Sequence, residues 1–137
     1  MHFETGHIYH IYNRGNNSQK IFFKRENSLF FLKKIKQYIS PYSDILAWVL
    51  MPNHFHLMVY VNAVVININE KHNTETLTQS ENLNIRVSRL RTFNDSIGIL
   101  LRTYARAIQK QEQLVGSLFQ EHTKAICLTK PKDINFS

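Results

Sequence analysis

The chain of 137 residues has a single cysteine, Cys127, so no disulfide can form within it and no cysteine cluster can bind zinc. An inert, half-buried thiol is the expected state of that residue. Only 3 prolines and 4 glycines interrupt the sequence, which excludes collagen-like and proline-rich architectures. No apolar run approaches the roughly 20 residues that span a bilayer, and the opening MHFETGHIYH lacks the charged-then-apolar order of a secretory signal. No membrane partner and a cytoplasmic location are therefore expected. A G-x-x-x-x-G-K-[ST] phosphate loop is also missing, which argues against chemistry driven by a nucleoside triphosphate. Acidic residues are few: 10 Asp+Glu stand against 17 Lys+Arg, a net charge of +7. That excess points to an anionic partner, nucleic acid first, although ordinary surface solubility accounts for it equally well.

What is present is globular. Hydrophobic residues make up 43%, with 9 Phe, 6 Tyr and one Trp, and the length suits one domain, residues 1–137, burying roughly two thirds of its unfolded surface. HIYHIYNR at 7–14 alternates apolar and polar residues and runs into Gly-Asn-Asn, which predicts a first strand and a loop. From Glu26 to Ile39, Leu29, Phe30, Leu32, Ile35 and Ile39 form one helical stripe that ends at Ser40-Pro41. ILAWVLM (45–51) and HFHLMVYV (54–61), joined by Pro52-Asn53, predict an antiparallel hairpin. Residues 62–84 are polar and without period, which predicts a long mobile connection, with VVINI as an optional extension of the preceding strand. Leu90, Phe93, Ile97, Leu100, Leu101, Tyr104 and Ile108 recur at helical spacing, with Asn94 or Asp95 as the N-cap. SLFQEHTKAICL supplies a last strand. The order β, α, β, β, α, β is that of a ferredoxin-like α+β fold, an antiparallel sheet with two helices on one face.

The sharpest local feature is Pro52-Asn53-His54-Phe55-His56-Leu57. Alternate residues of a strand share a face about 7 Å apart, so His54 and His56 point one way while Phe55, Leu57, Val59 and Val61 point the other. The apolar set belongs against the helices, which leaves both imidazoles on the opposite face, open to solvent or covered by a second copy. Two neutral imidazoles and one further ligand can hold a divalent ion with positions left for a phosphate oxygen. Two hydrogen-bonded strand histidines would look the same in sequence. His10 can supply a third ligand if the first strand neighbours the hairpin, although a hydrogen-bonded sheet histidine is the commoner outcome for such a residue.

Three segments resemble the REP-associated tyrosine transposases, a group of single-tyrosine HUH transposases, over nearly the whole chain. Tyr9-His10-Ile11-Tyr12-Asn13-Arg14-Gly15-Asn16-Asn17 through Lys20-Ile21-Phe22 is similar to the N-terminal signature of that family. Trp48-Val49-Leu50-Met51-Pro52-Asn53-His54-Phe55-His56-Leu57 resembles its metal-binding core, and Gly116-Ser117-Leu118-Phe119-Gln120 its late strand. The resemblance implies a ferredoxin-like fold, a Mg²⁺ or Mn²⁺ ion held by His54 and His56, and cleavage and rejoining of single-stranded hairpin DNA. Imidazole by itself favours zinc or copper, so the ligands do not name the metal.

The chemistry of such a site is attack of a tyrosine oxygen on the scissile phosphorus, which releases a 3′-hydroxyl and conserves the bond as phosphotyrosine. In the family that tyrosine lies on a further helix, in a pattern like Tyr-Ile-x-x-Asn-Pro, which does not occur in these 137 residues. The expectation is a truncated form with its nucleophile beyond residue 137. Tyr104 is the weak fallback, since its helical stripe should pack it away from the histidines, and Tyr60 lies roughly 13 Å along the strand from His56. Asn13, Arg14, Asn16, Asn17, Lys20, Lys24 and Arg25 around the first loop suit contacts to single-stranded or hairpin DNA. A solvated charged face accounts for the same cluster as well. A homodimer is a second expected partner. The rival functions are a repurposed, non-catalytic nucleic-acid binder, an RNA binder that stacks bases on its open sheet, and a metal hydrolase using water, the last disfavoured because no carboxylate accompanies the histidines as a general base.

Overall fold

Four segments pair into one antiparallel sheet in a computed structural model that describes residues 1–70 and 87–131. In chain order they are β1 (Ile8–Arg14), β2 (Ser43–Met51), β3 (His54–Val61) and β6 (Lys124–Cys127), arranged β2-β3-β1-β6. Helices α1 (Arg25–Tyr38) and α2 (Phe93–Glu112) complete the expected ferredoxin-like order. Tyr9 and Ile11 of β1 and Phe55, Leu57, Val59 and Val61 of β3 are buried together with Phe31 and Ile35 of α1 and Ile97, Leu100 and Tyr104 of α2. Both helices thus pack on one face of the sheet. The Phe31 ring is its centre, at 5.0 Å from Phe55, 4.9 Å from Tyr104 and 5.3 Å from Phe22. Burying a side chain of that size contributes roughly 1.5–3 kcal/mol. Among the described residues no helix is long and apolar enough to cross a membrane.

The stripe of α1 differs from the expected one. Asn27, Phe31, Lys34 and Ile35 face inward, while Leu29 and Phe30 are exposed. The run LFFL allows two apolar registers, and the polar residues decide between them because their needs are met inside. Asn27 Oδ1 accepts from the Phe23 and Lys24 amides at 3.1 and 3.0 Å, and its Nδ2 donates to Gln111 of α2. Lys34 Nζ donates to Thr103 at 2.8 Å and lies over the Phe30 and Tyr38 rings.

The expected connection at 62–84 is also corrected. Val65–Glu70 forms β4, and Val87–Thr92 forms β5, which pairs with it as a separate two-stranded ribbon. VVINI does not extend β3, and the remainder of the expected connection, 71–84, lies outside the described residues. Leu90, assigned above to the helical stripe, sits in β5 instead. Helix α2 then begins one residue after the ribbon, with Thr92 and not Asn94 or Asp95 as its N-cap. The Thr92 hydroxyl accepts from the Asp95 amide at 3.1 Å. Thr92→Ala is therefore expected to cost about 1 kcal/mol of unfolding free energy in a urea titration; an unchanged midpoint would show that the cap carries no weight. The last strand is shorter than SLFQEHTKAICL: Lys124–Cys127 forms the regular ladder with β1, while the part around Phe119 and Gln120 meets the chain at Arg14 and Gly15 through an isolated bridge. Leu118 and Phe119 turn into the core instead.

Candidate metal and nucleic-acid site

Strand β3 leaves the Pro52-Asn53 turn with Phe55 and Leu57 buried under the helices, so His54 and His56 come out half-buried on the other face. Their ring centroids are 5.2 Å apart with the planes at 83°. The Asn53 side-chain oxygen lies 2.7 Å from His54 Nδ1. An amide oxygen only accepts, so Nδ1 carries the proton and donates, and the lone pair sits on Nε2. His56 Nδ1 is 2.7 Å from His10 Nε2; with His56 donating, its Nε2 is likewise left as a base. Such outer hydrogen bonds are what fix the tautomer of a ligating histidine. Burial first, then the nearby His10 and His54, holds His56 below the ordinary imidazole range, which keeps the ring neutral with its lone pair available.

Among the described residues no three His, Cys, Asp or Glu side chains converge on one point. His10, on the strand beside the hairpin, takes the commoner of the two roles weighed for it, a sheet histidine hydrogen-bonded to His56 at 2.7 Å. The donor chemistry of the two imidazoles, with Asn53 holding His54 in its Nδ1–H tautomer, fits two of the ligands of a divalent ion.

Both histidines open into a cavity of about 480 Å³ shared with Tyr12, Arg14, Ser18 and Lys124. Among the described residues, two cations, Arg14 and Lys124, and no carboxylate line it, an electrostatic setting for a phosphate. The cavity exists because the three segments singled out in the sequence meet at one corner. The Gly15 amide donates to Asn53 O and the Ile21 amide to Pro52 O, each at 2.8 Å, tying the first loop to the hairpin turn. The Asn16 amide donates to Leu118 O at 2.8 Å, and Gln19 Nε2 donates to the Ser117 and Leu118 carbonyls at 2.9 and 3.1 Å. Much of the N-terminal signature is therefore scaffold. Asn13 borders the cavity but is almost wholly buried, with Nδ2 donating to Gln120 O and Thr123 Oγ1 and Oδ1 accepting from the Arg14 amide. Its role in this structure is to tie β1 to the segment before β6. Of the other first-loop candidates, Arg14 lines the cavity; Asn16 is half-buried, and Asn17, Lys20, Lys24 and Arg25 are exposed without lining it.

The tyrosines sort by burial. Tyr104, the fallback nucleophile, is fully buried and donates its hydroxyl to the Ile21 carbonyl, and burial pushes its phenol far up. It cannot reach a phosphate, which corrects that expectation. Tyr104→Phe should cost about 1–2 kcal/mol in thermal unfolding by orphaning the Ile21 carbonyl, with DNA binding unchanged; a loss of binding without a loss of stability would reinstate it. Tyr60 shares the histidine face but does not line the cavity. Tyr12 does. It sits across from His56 in the β1–β3 register, its ring stacks on His10 at 4.7 Å and lies 5.8 Å from His56, and its hydroxyl makes no hydrogen bond among the described residues. Sequence reasoning passed over Tyr12 as a reactive group. The signal was its place two residues after His10, on the same face of β1.

The rest of the histidine face is open, as expected, with Val49, Met58, Ile126 and Leu128 exposed. No family model matches the chain, and no curated protein matches it in sequence. Among solved structures it is similar to a REP-associated tyrosine transposase bound to a REP hairpin, with a TM-score of 0.51 and 12% identity over 97% of this chain. The chain spans 62% of that protein's length, and the likeness establishes a shared fold.

Proposed function

We propose that this chain binds single-stranded or hairpin DNA and carries the site of a transposase-type strand cleavage and rejoining reaction. The observation that carries the proposal is the pair His54 and His56, hydrogen-bonded through Nδ1 to Asn53 and His10 and lining an open cavity beside Arg14 and Lys124. The solved structure of similar fold, in complex with a REP hairpin, supports DNA as the ligand class. His54 and His56 would hold a divalent ion, Mg²⁺ or Mn²⁺, which when bound supplies charge neutralisation at a non-bridging phosphate oxygen. Arg14 and Lys124 attract and orient the phosphodiester. Tyr12 is the tyrosine that the described geometry offers as nucleophile: its phenol oxygen would form the bond to phosphorus as the bond to the 3′-oxygen breaks, and the phenolic proton would pass to that leaving oxygen.

The test is incubation with a hairpin oligonucleotide nicked so that a cut fragment diffuses away, in Mn²⁺, followed by denaturing electrophoresis and mass spectrometry. A covalent protein–DNA species that disappears in Tyr12→Phe is the expected result. No adduct at all, with hairpin binding retained, overturns the catalytic claim and leaves a repurposed nucleic-acid binder. That second reading is favoured by one observation, the exposed Val49, Met58 and Tyr60 on the same sheet face, a surface suited to base contacts.

A further inference from the structure

We infer that the groove along α2 is a second nucleic-acid contact, a track for the phosphates of single-stranded DNA flanking the element bound at the histidines; this rests on the DNA-binding function proposed above. The groove has a volume of about 550 Å³ and follows α2 from Asn94 to Gln109, a length of roughly 22 Å at 1.5 Å per residue. Its far wall is the segment from Ser117 to Thr123. Leu101 and Ala105 give it an apolar floor, and Arg102 and Arg106, one helical turn apart, give it two cations. Both arginines are exposed, and neither forms an ion pair among the described residues. The acidic residue of the lining, Glu121, lies 3.9 Å from His122.

Two features make this more than a solvated helix face. A Cβ on Gly98 would stand 3.0 Å from Arg102 Nη1, so the guanidinium is folded back along the helix over the space that the glycine leaves. A glycine in mid-helix otherwise only weakens α2. The groove also shares Asn13, Gln120 and His122 with the histidine cavity, so the two depressions meet across the segment before β6. A strand leaving His54 and His56 can cross Gln120 and His122 and lay its backbone along Arg102 and Arg106 with its sugars and bases on Leu101 and Ala105.

Fluorescence anisotropy with two DNA hairpins, one blunt and one extended by an oligothymidine tail of about six nucleotides at either end in turn, tests this on the full chain. For the wild type, a tail at one of the two ends should tighten binding about tenfold over the blunt hairpin. Arg102→Ala with Arg106→Ala should abolish that advantage, leave blunt-hairpin affinity within about twofold, and flatten the salt dependence of the tailed probe by roughly 0.7 for each of two phosphates. Gly98→Ala supplies a control against unfolding: it should melt higher than the wild type and yet lose part of the tail advantage, because the new methyl displaces the guanidinium. A tail that gives no advantage in the wild type, or an advantage that survives loss of both arginines, overturns the track while hairpin binding stands. Failure of the wild type to bind either probe overturns the DNA-binding function itself, and the track with it.

Discussion

Replacing His54 and His56 together by alanine should abolish Mn²⁺ binding in a calorimetric titration and change the stability of the protein by about 1 kcal/mol or less. Both rings are half-buried on the uncovered side of the sheet, so their loss opens no cavity in the core built around Phe31 and Phe55. Among the described residues their ring nitrogens are engaged with Asn53 and His10 alone, both partly solvent-accessible. The loss of affinity should exceed the roughly 10–100-fold that outer partners of ligating histidines carry. His10→Ala, which removes only the group that orients His56, should fall within that range. A pair of merely structural strand histidines gives the opposite pattern: a marked drop in melting temperature and Mn²⁺ binding, if any, unchanged.

Gly15→Ala should be the most damaging single methyl in the molecule. A Cβ there would lie 1.9 Å from the Gln19 carbonyl oxygen and 2.9 Å from its carbon, both backbone atoms that no rotamer change can move. The backbone of Gly15 has a φ of −60°, so the requirement is space and not a left-handed conformation. To admit the methyl, the turn through Asn17 and Ser18 has to open, and with it go the hydrogen bonds from Gly15 to Asn53, from Asn16 to Leu118 and from Ser18 to Gly15. The expected cost is about 3 kcal/mol, a fall in Tm on the order of 10 °C. Because the same bonds hold Asn53 and Arg14 beside His54, Mn²⁺ binding should weaken as well. Gly116→Ala is the comparison: its φ is +86°, but nothing lies within 4 Å of the new methyl, so only backbone strain of about 1 kcal/mol is expected. Equal effects at the two positions would refute the crowding argument.

Strand β3 was legible because one face is uniformly apolar, Phe55, Leu57, Val59 and Val61, while the other opens with His54 and His56. The order of strands and helices followed from similar alternation in β1 and from the Pro52-Asn53 turn. The orientation of α1 was not legible, since LFFL offers two apolar stripes and the choice rests on hydrogen bonds from Asn27 and Lys34 to residues of α2 far along the chain. The ribbon of β4 and β5 was missed for a different reason. Its residues pair mainly with each other, so Asn67 and Arg89 alternate with Ile66, Ile68 and Leu90 without the uniformly apolar face that marks a core strand. Tyr12 joined the site only once the β1–β3 register was known, because antiparallel pairing places it opposite His56, 44 positions further along the chain. The meeting of the three signature segments was likewise hidden, since it is made largely by backbone amides and carbonyls, which every sequence has.

The most direct test of the account is selective broadening of backbone and imidazole NMR signals by substoichiometric Mn²⁺, whose relaxation effect falls steeply with distance. Loss of the His54, His56, Asn53 and Tyr12 resonances before all others is the predicted result. Broadening centred instead on His2, Glu4 and His7, where two imidazoles approach one carboxylate at 3.4 and 3.9 Å, or spread evenly over the surface, would contradict it.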